Sequence, residues 1–312
     1  MLDVAWSPFD DSIVASAGED GKVCVTRVDD KVLSDAWSTE IEASDMEPHV
    51  RLNAHGRKAG NVMWHPTAGG VLASAGLEVK LWDVEAQQSK SQSETHPDMV
   101  QTMAFDYTGS VYATTCKDKK LRLFDPRGAP SAVAKVDSHT GVKASRVAWM
   151  GSLDNIVTTG FSRMSERQIW VWDSRNLTSG PVKTINVDTS AGILMPFWHD
   201  ANKVLMVAGK GDGNVRLYEW TDGDLFYLNE HSSNQPQRGM CFLPTRALNT
   251  HEHEIARAFK CTGNTVEPIS FIVPRKVRPS VRSSTERRAD VPSSPRRSRQ
   301  TCTPPRRPRS QR

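Results

Sequence analysis

The sequence predicts an all-β protein assembled from tandem four-stranded sheets. Three observations predict it: an internal repeat of about 40–45 residues, strands of alternating apolar residues that end aromatic-Asp, and tight turns carrying glycine or an acid. The clearest copies start at a histidine. His55 leads to Val62-Met63-Trp64, then Val71-Leu72-Ala73-Ser74-Ala75-Gly76, then Val79-Lys80-Leu81-Trp82-Asp83. His96 leads to Met103-Ala104-Phe105, Val111-Tyr112-Ala113-Thr114-Thr115, the turn Lys117-Asp118-Lys119, and Leu121-Arg122-Leu123-Phe124-Asp125. His139 leads to Val147-Ala148-Trp149, Ile156-Val157-Thr158-Thr159-Gly160 and Ile169-Trp170-Val171-Trp172-Asp173. Weaker copies flank these, around Trp6 with Gly18-Glu19-Asp20-Gly21 and around Phe197 with Gly211-Asp212-Gly213.

Trp64 and Phe105 are 41 positions apart, and Phe105 and Trp149 are 44 apart. That period, with aromatic-Asp closing a strand, is the mark of a WD-repeat β-propeller with one blade per copy. The copies imply about six blades, or an incomplete open ring. Their expected extents are 1–28, 54–86, 95–127, 138–177, 187–220 and 234–274. The step from Trp6 to Trp64 is 58 residues, so 29–53 is expected as a loop insertion. Leu121 and Leu123 alternate with Arg122, and Val215 and Leu217 with Arg216, which predicts strands with a charged face opposite the apolar one.

The recurring polar residues have an expected structural role. In such blades a buried hydrogen-bond chain links His, Ser or Thr, the turn acid and Trp. The residues are His55, Ser74 and Trp82 in one copy, His96, Thr114 and Asp118 in the next, and His139, Thr158 and Trp172 in the third. Phe124 stands where the others have Trp and cannot donate, so its chain should stop at Thr114. Glu78 takes the place of the turn acid in the first of these copies.

The net charge of +4 conceals two unlike parts. Residues 275–312 hold 13 basic and 2 acidic side chains, leaving 27 basic and 34 acidic to the rest, a net charge of −7. The Arg/Ser/Pro-rich stretch 277–312 is expected to be a disordered tail. It has no aromatic residues for base stacking, so no specific nucleic-acid binding is expected. Five scattered cysteines without a CxxC pair point to a reducing, cytoplasmic setting and away from a zinc site. No apolar run reaches the roughly 18 residues of a membrane span. No nucleophile elbow, P-loop or H-E-x-x-H occurs, and His251-Glu252-His253 lacks a third ligand at a familiar spacing. A non-catalytic protein without cofactors is expected. The turns between second and third strands project from one face and carry Lys117, Lys119, Lys120, Arg163, Met164, Arg167 and Lys210, a candidate partner-binding rim.

Four segments carry a resemblance. They are Thr158 to Gln168; Ala208-Gly209-Lys210-Gly211-Asp212 before Val215-Arg216-Leu217-Tyr218-Glu219; Gln237-Arg238-Gly239-Met240 with Glu254 to Lys260; and Glu267 to Lys276. In this order they resemble the coronin family over residues 1–276. The resemblance implies a seven-bladed propeller that binds actin filaments. It also implies a linker and a coiled coil that oligomerises and contacts the branched-actin nucleating complex. This chain starts at what resembles the family's second blade, so it is expected to be an N-terminally incomplete member. Residues 277–312 carry no heptads; a reading-frame change and a divergent tail both explain that. A propeller scaffold for a non-actin partner, in trafficking or ubiquitin-ligase assembly, is the alternative reading.

Overall fold

The computed structural model describes residues 1–35 and 45–273. Residues 1–272 make one compact unit, and the expected tail lies outside the described residues. Six antiparallel sheets follow one another along the chain, each pairing its strands in sequence order. The first holds β1 (Asp3–Trp6), β2 (Ile13–Ala17), β3 (Lys22–Arg27) and β4 (Val50–Asn53), with a short helix α1 (Asp30–Asp35) between the last two. The second holds β5 (Asn61–Trp64), β6 (Val71–Ala75), β7 (Val79–Asp83) and β8 (Gln88–Gln92). The third holds β9 (Val100–Phe105), β10 (Tyr112–Cys116), β11 (Lys120–Phe124) and β12 (Ala134–Asp137). The fourth is β13 (Arg146–Trp149), β14 (Asn155–Phe161), β15 (Arg167–Asp173) and β16 (Lys183–Asp188). The fifth is β17 (Leu194–His199), β18 (Val204–Gly209), β19 (Asn214–Thr221) and β20 (Asp224–Ser232). The sixth has three described strands, β21 (Gly239–Phe242), β22 (Glu254–Cys261) and β23 (Val266–Ile272). This is an all-β propeller of six blades.

The core lies between blades. Ala15, Val23 and Leu52 of the first sheet pack on Val62, Trp64 and Leu72 of the second. Successive sheets repeat the arrangement, down to Met206 and Val215 of the fifth against Ala256, Ala258 and Phe271 of the sixth. An ion pair between Arg246 and Asp11 links the sixth blade to the first.

Two expectations change. Each four-stranded sheet continues past the extent read from the sequence. β4 lies inside the supposed insertion 29–53, and β8, β12, β16 and β20 begin after residues 86, 127, 177 and 220. Among these outer strands β8 reads Gln-Ser-Lys-Ser-Gln and is exposed at four of its five positions, whereas β4 buries Val50 and Leu52, and Ala134 and Val136 of β12 and Ile185 and Val187 of β16 pack against the core. The charged face opposite the apolar one is itself packed between blades. Blades pack on both sides, so Arg122 is 1% exposed, with its guanidinium paired to Asp118.

Candidate partner-binding face

Inside the blades, one hydroxyl holds a histidine and a tryptophan together. Trp82 Nε1 donates to Ser74 Oγ at 2.9 Å, and His55 Nε2 lies 2.8 Å from the same oxygen. His55 Nδ1 faces Glu78 Oε1 at 3.4 Å. A carboxylate can only accept, so the ring proton sits on Nδ1 and the Ser74 hydroxyl donates to Nε2. In the fourth blade Trp172 Nε1 donates to Thr158 Oγ1 at 2.9 Å, and His139 Nε2 is 3.0 Å from it. His139 Nδ1 is buried there without a partner. In the third blade His96 Nε2 lies 3.1 Å from Thr114 Oγ1, and Nδ1 donates to the Leu77 carbonyl at 3.1 Å. Phe124 stacks on Tyr112 instead, at 5.2 Å.

Asp118 departs from its expected place. It binds Arg122 through both oxygens rather than joining the His96 chain. Burial opposes its ionisation, but the hydrogen bonds and charge of Arg122 together with the Lys120 amide outweigh that, so its pKa falls below the usual value.

Glycine at the end of the second strand makes room for the rings. A Cβ on Gly76 would meet the His55 ring at 2.9 Å, and one on Gly160 would meet the His139 ring at 2.3 Å. Replacing Thr158 by valine, which keeps the shape and removes the hydroxyl, is expected to lower stability by about 1–3 kcal/mol. Trp172 N–H and His139 Nε2 would both be left unpaired. Urea unfolding checks it, and Thr158→Ser should restore most of the loss.

The loops after the second strands carry the candidate rim. Ser162 folds the hairpin between β14 and β15 onto itself. Its N–H donates to the Glu166 carbonyl at 2.8 Å, and its hydroxyl accepts from the Met164 and Glu166 amides at 3.2 and 3.1 Å. Arg163, Met164 and Ser165 are thereby turned to solvent, Met164 at 81% exposure. Lys210 is exposed on the neighbouring turn.

Arg167 is not part of this exposed set. It is 1% exposed and lies between two blades. Nε and Nη2 bind Asp188 at 2.5 and 2.6 Å, while Nη1 reaches Asp212 at 2.5 Å and the Gly192 carbonyl at 3.2 Å. Arg216 adds a contact to Asp188 at 2.8 Å and one to Glu230 at 3.0 Å. The Arg167 hydrogen bonds hold the Asp188 carboxyl below its usual range. Burial works against the charge of Arg167, yet Asp188 and Asp212 carry its pKa above the ordinary guanidinium value.

The lysines of the third blade are each engaged. Lys117 is 3.4 Å from Asp98 and Lys120 is 2.5 Å from Asp137. Lys119 donates to the Thr140 carbonyl at 2.6 Å.

Sequence reading missed Lys143 and Arg238. The Lys143 ammonium sits 4.7 Å from the Phe161 ring centroid and donates to the Ala191 carbonyl at 2.7 Å. Two residues on, the Ile193 carbonyl accepts from Lys210 N–H at 2.8 Å; Gly211 N–H in turn donates to the Gln237 carbonyl at 2.7 Å, beside exposed Arg238. These bonds bring Arg163, Lys143, Lys210 and Arg238, from three blades, onto one face. Lys143 gave no signal because it lies between His139 and the first strand of its copy, not on a turn between second and third strands. Arg238 stood in a quoted family segment but not on a hairpin turn.

Among the described residues no group of three His, Cys, Asp or Glu side chains is placed to hold a metal ion. No described helix is long and apolar enough to cross a membrane. A cavity of about 800 Å³ between the second and third blades includes His65, but both ring nitrogens are engaged, by the Gly109 carbonyl at 3.0 Å and the Ala68 amide at 2.9 Å.

Comparison with known proteins agrees with this architecture. A WD domain, G-beta repeat model matches residues 88–125. The crystal structure of the WD40 domain from Toxoplasma gondii coronin superposes with a TM-score of 0.80 at 31% identity, over 88% of this chain and 70% of that one. A chain of a mitotic checkpoint complex shares the fold alone, with a TM-score of 0.65 at 17% identity, over 86% of this chain and 74% of that one. A coronin-like protein of Schizosaccharomyces pombe is 44% identical over 279 residues, which is 88% of this chain and 45% of the relative. Human coronin-2A is 39% identical over 287 residues, 88% of this chain and 53% of the relative. The chain thus spans about half the length of these curated relatives. Repeat, propeller and likenesses agree: the chain belongs to the coronin family.

Proposed function

We propose that this chain is a non-catalytic, cytoplasmic recognition platform that binds actin filaments through the loop face of its fourth to sixth blades. The supporting observation is a separation of charge. Asp188 and Asp212 are turned inward onto Arg167, while among the described residues Arg163, Lys210 and Arg238 stand exposed without counter-ions and Lys143 meets a carbonyl and a ring. A face of unpaired cations favours encounter with an acidic polymer such as the filament, and Met164 supplies an apolar contact at its centre. Family membership supports the choice of the actin filament as that polymer. Contact with the branched-actin nucleating complex, which the resemblance assigns to a coiled coil, forms no part of this reading.

Co-sedimentation with filamentous actin tests it. The chain should pellet at low salt and less so as salt rises. The pair Arg163→Glu and Lys210→Glu should weaken apparent affinity at least about tenfold, with the melting temperature unchanged. Absence of pelleting at low salt would reject filament binding, and equal pelleting of the charge-reversed chain would reject this face.

A further inference from the structure

We infer that Ser165 is a phosphorylation site whose occupancy turns off the basic face; this rests on the filament-binding reading above. Ser165 stands at the tip of the hairpin between β14 and β15, exposed, with a left-handed backbone (φ 64°). Its amide donates to the Ser162 carbonyl at 3.0 Å, and its exposed hydroxyl has no hydrogen-bond partner among the described residues. The neighbouring hydroxyl differs: Ser162 Oγ is tied to two amides and to Glu166 Oε2 at 3.0 Å. Arg163 lies two residues before Ser165, its guanidinium exposed and unpaired among the described residues, and Met164 between them is exposed. This presents a free serine hydroxyl beside arginine on a protruding turn, which is what an enzyme that reads a basic residue next to serine requires. The turn is held by the contacts of Ser162, so opening it for an active site leaves the blades intact.

The chemistry is transfer of the terminal phosphoryl group from a nucleoside triphosphate. Ser165 Oγ forms the new O–P bond as the bridging bond to the nucleoside diphosphate breaks, and the hydroxyl proton passes to the kinase's base. The product adds about −1.5 to −2 charges. Among the described residues the face offers four cations not paired with a carboxylate, Lys143, Arg163, Lys210 and Arg238, and Arg163 is the nearest in sequence. A phosphate there pairs Arg163 internally and cancels much of the remaining field within a Debye length of about 10 Å at 0.1 M salt.

The test treats the full chain with ATP and a serine kinase that reads arginine two residues before its target, maps the phosphate by mass spectrometry, and measures filament co-sedimentation before and after. Phosphate is expected on Ser165, with apparent affinity for filaments falling about tenfold. The Ser165→Asp chain should show part of that loss, and the Ser165→Ala chain should pellet equally with and without kinase. No phosphate on Ser165, or full phosphorylation with undiminished pelleting, overturns the inference. Should the untreated chain not pellet at all, the filament reading fails by itself. Retention on immobilised polyglutamate then decides: elution of the phosphorylated chain at lower salt supports loss of the basic face, and unchanged elution overturns it.

Discussion

Replacing Arg167 by methionine is expected to cost about 3–5 kcal/mol of unfolding free energy. The guanidinium is 1% exposed and joins Asp188, Asp212 and the Gly192 carbonyl. Methionine would fill much of the volume but leave two carboxylates facing each other across a blade junction, one of them still held by Arg216. Breaking a buried pair from one side is more costly than replacing both partners, because the remaining charge is neither solvated nor paired. The triple change Arg167→Met, Asp188→Asn, Asp212→Asn should therefore recover a large part of the loss. Lysine should not rescue, because one ammonium cannot span the fork that Arg167 presents in three directions. Urea unfolding of these variants measures the effect, and a cost below about 1 kcal/mol for Arg167→Met would show that the junction does not depend on it.

Acidification from pH 7 to pH 4 should remove a comparable amount of stability through the buried histidines. Burial pushes the His139 imidazole down to about 4 from 6.5, and burial also depresses His55 and His96. The folded state therefore holds these rings neutral where the unfolded chain takes up protons. The stability they contribute is fully present above about pH 6.5 and drains away as pH falls towards the folded pKa. For His139 alone the span from 6.5 to about 4 corresponds to about 3 kcal/mol. Asp118 and Asp188 are likewise held below their usual 3.8, so they too lose stability as pH falls, but that loss begins only at lower pH and does not fill this window. Unfolding free energies at pH 7.5, 5.5 and 4.5 should fall steadily, and the His139→Asn chain should start lower but decline less. A parallel decline in both chains would remove His139 as a source of the acid sensitivity.

Three strands of each blade were legible in the sequence because Val, Leu and Ile alternate along them between glycine or acidic turns. The fourth was least legible in β8, where no apolar residue marks a face and the register is set by pairing alone: Lys80 opposite Gln92 and Leu81 opposite Ser91. The match to the WD repeat over 88–125 explains the offset. That segment runs from β8, the outer strand of one blade, through β9, β10 and β11 of the next, so the sequence unit is shifted by one strand from the structural one.

The candidate site divides the same way. Arg163, Met164 and Lys210 stand where turn position places them. Arg167 looked like one more loop cation, but it is the first residue of β15 and shares parity with Ile169 and Val171, both buried. Counting by twos from Ile169 would have turned it inward. Lys143 and Arg238 could not be read, because their neighbours belong to other blades and arise only from tertiary bonds.

The outer strands bear on how these molecules behave when crowded together. Each four-stranded blade ends in a strand with an open ladder, the kind of edge along which one molecule can recruit another into an endless ribbon. Arg51 on β4, Lys90 on β8, Lys135 on β12, Lys183 on β16 and Glu230 on β20 place a charge on every one of those borders. Pairing two of the four basic borders edge to edge would bring like charges together, which disfavours ribbon growth along them, while Glu230 leaves the fifth border acidic.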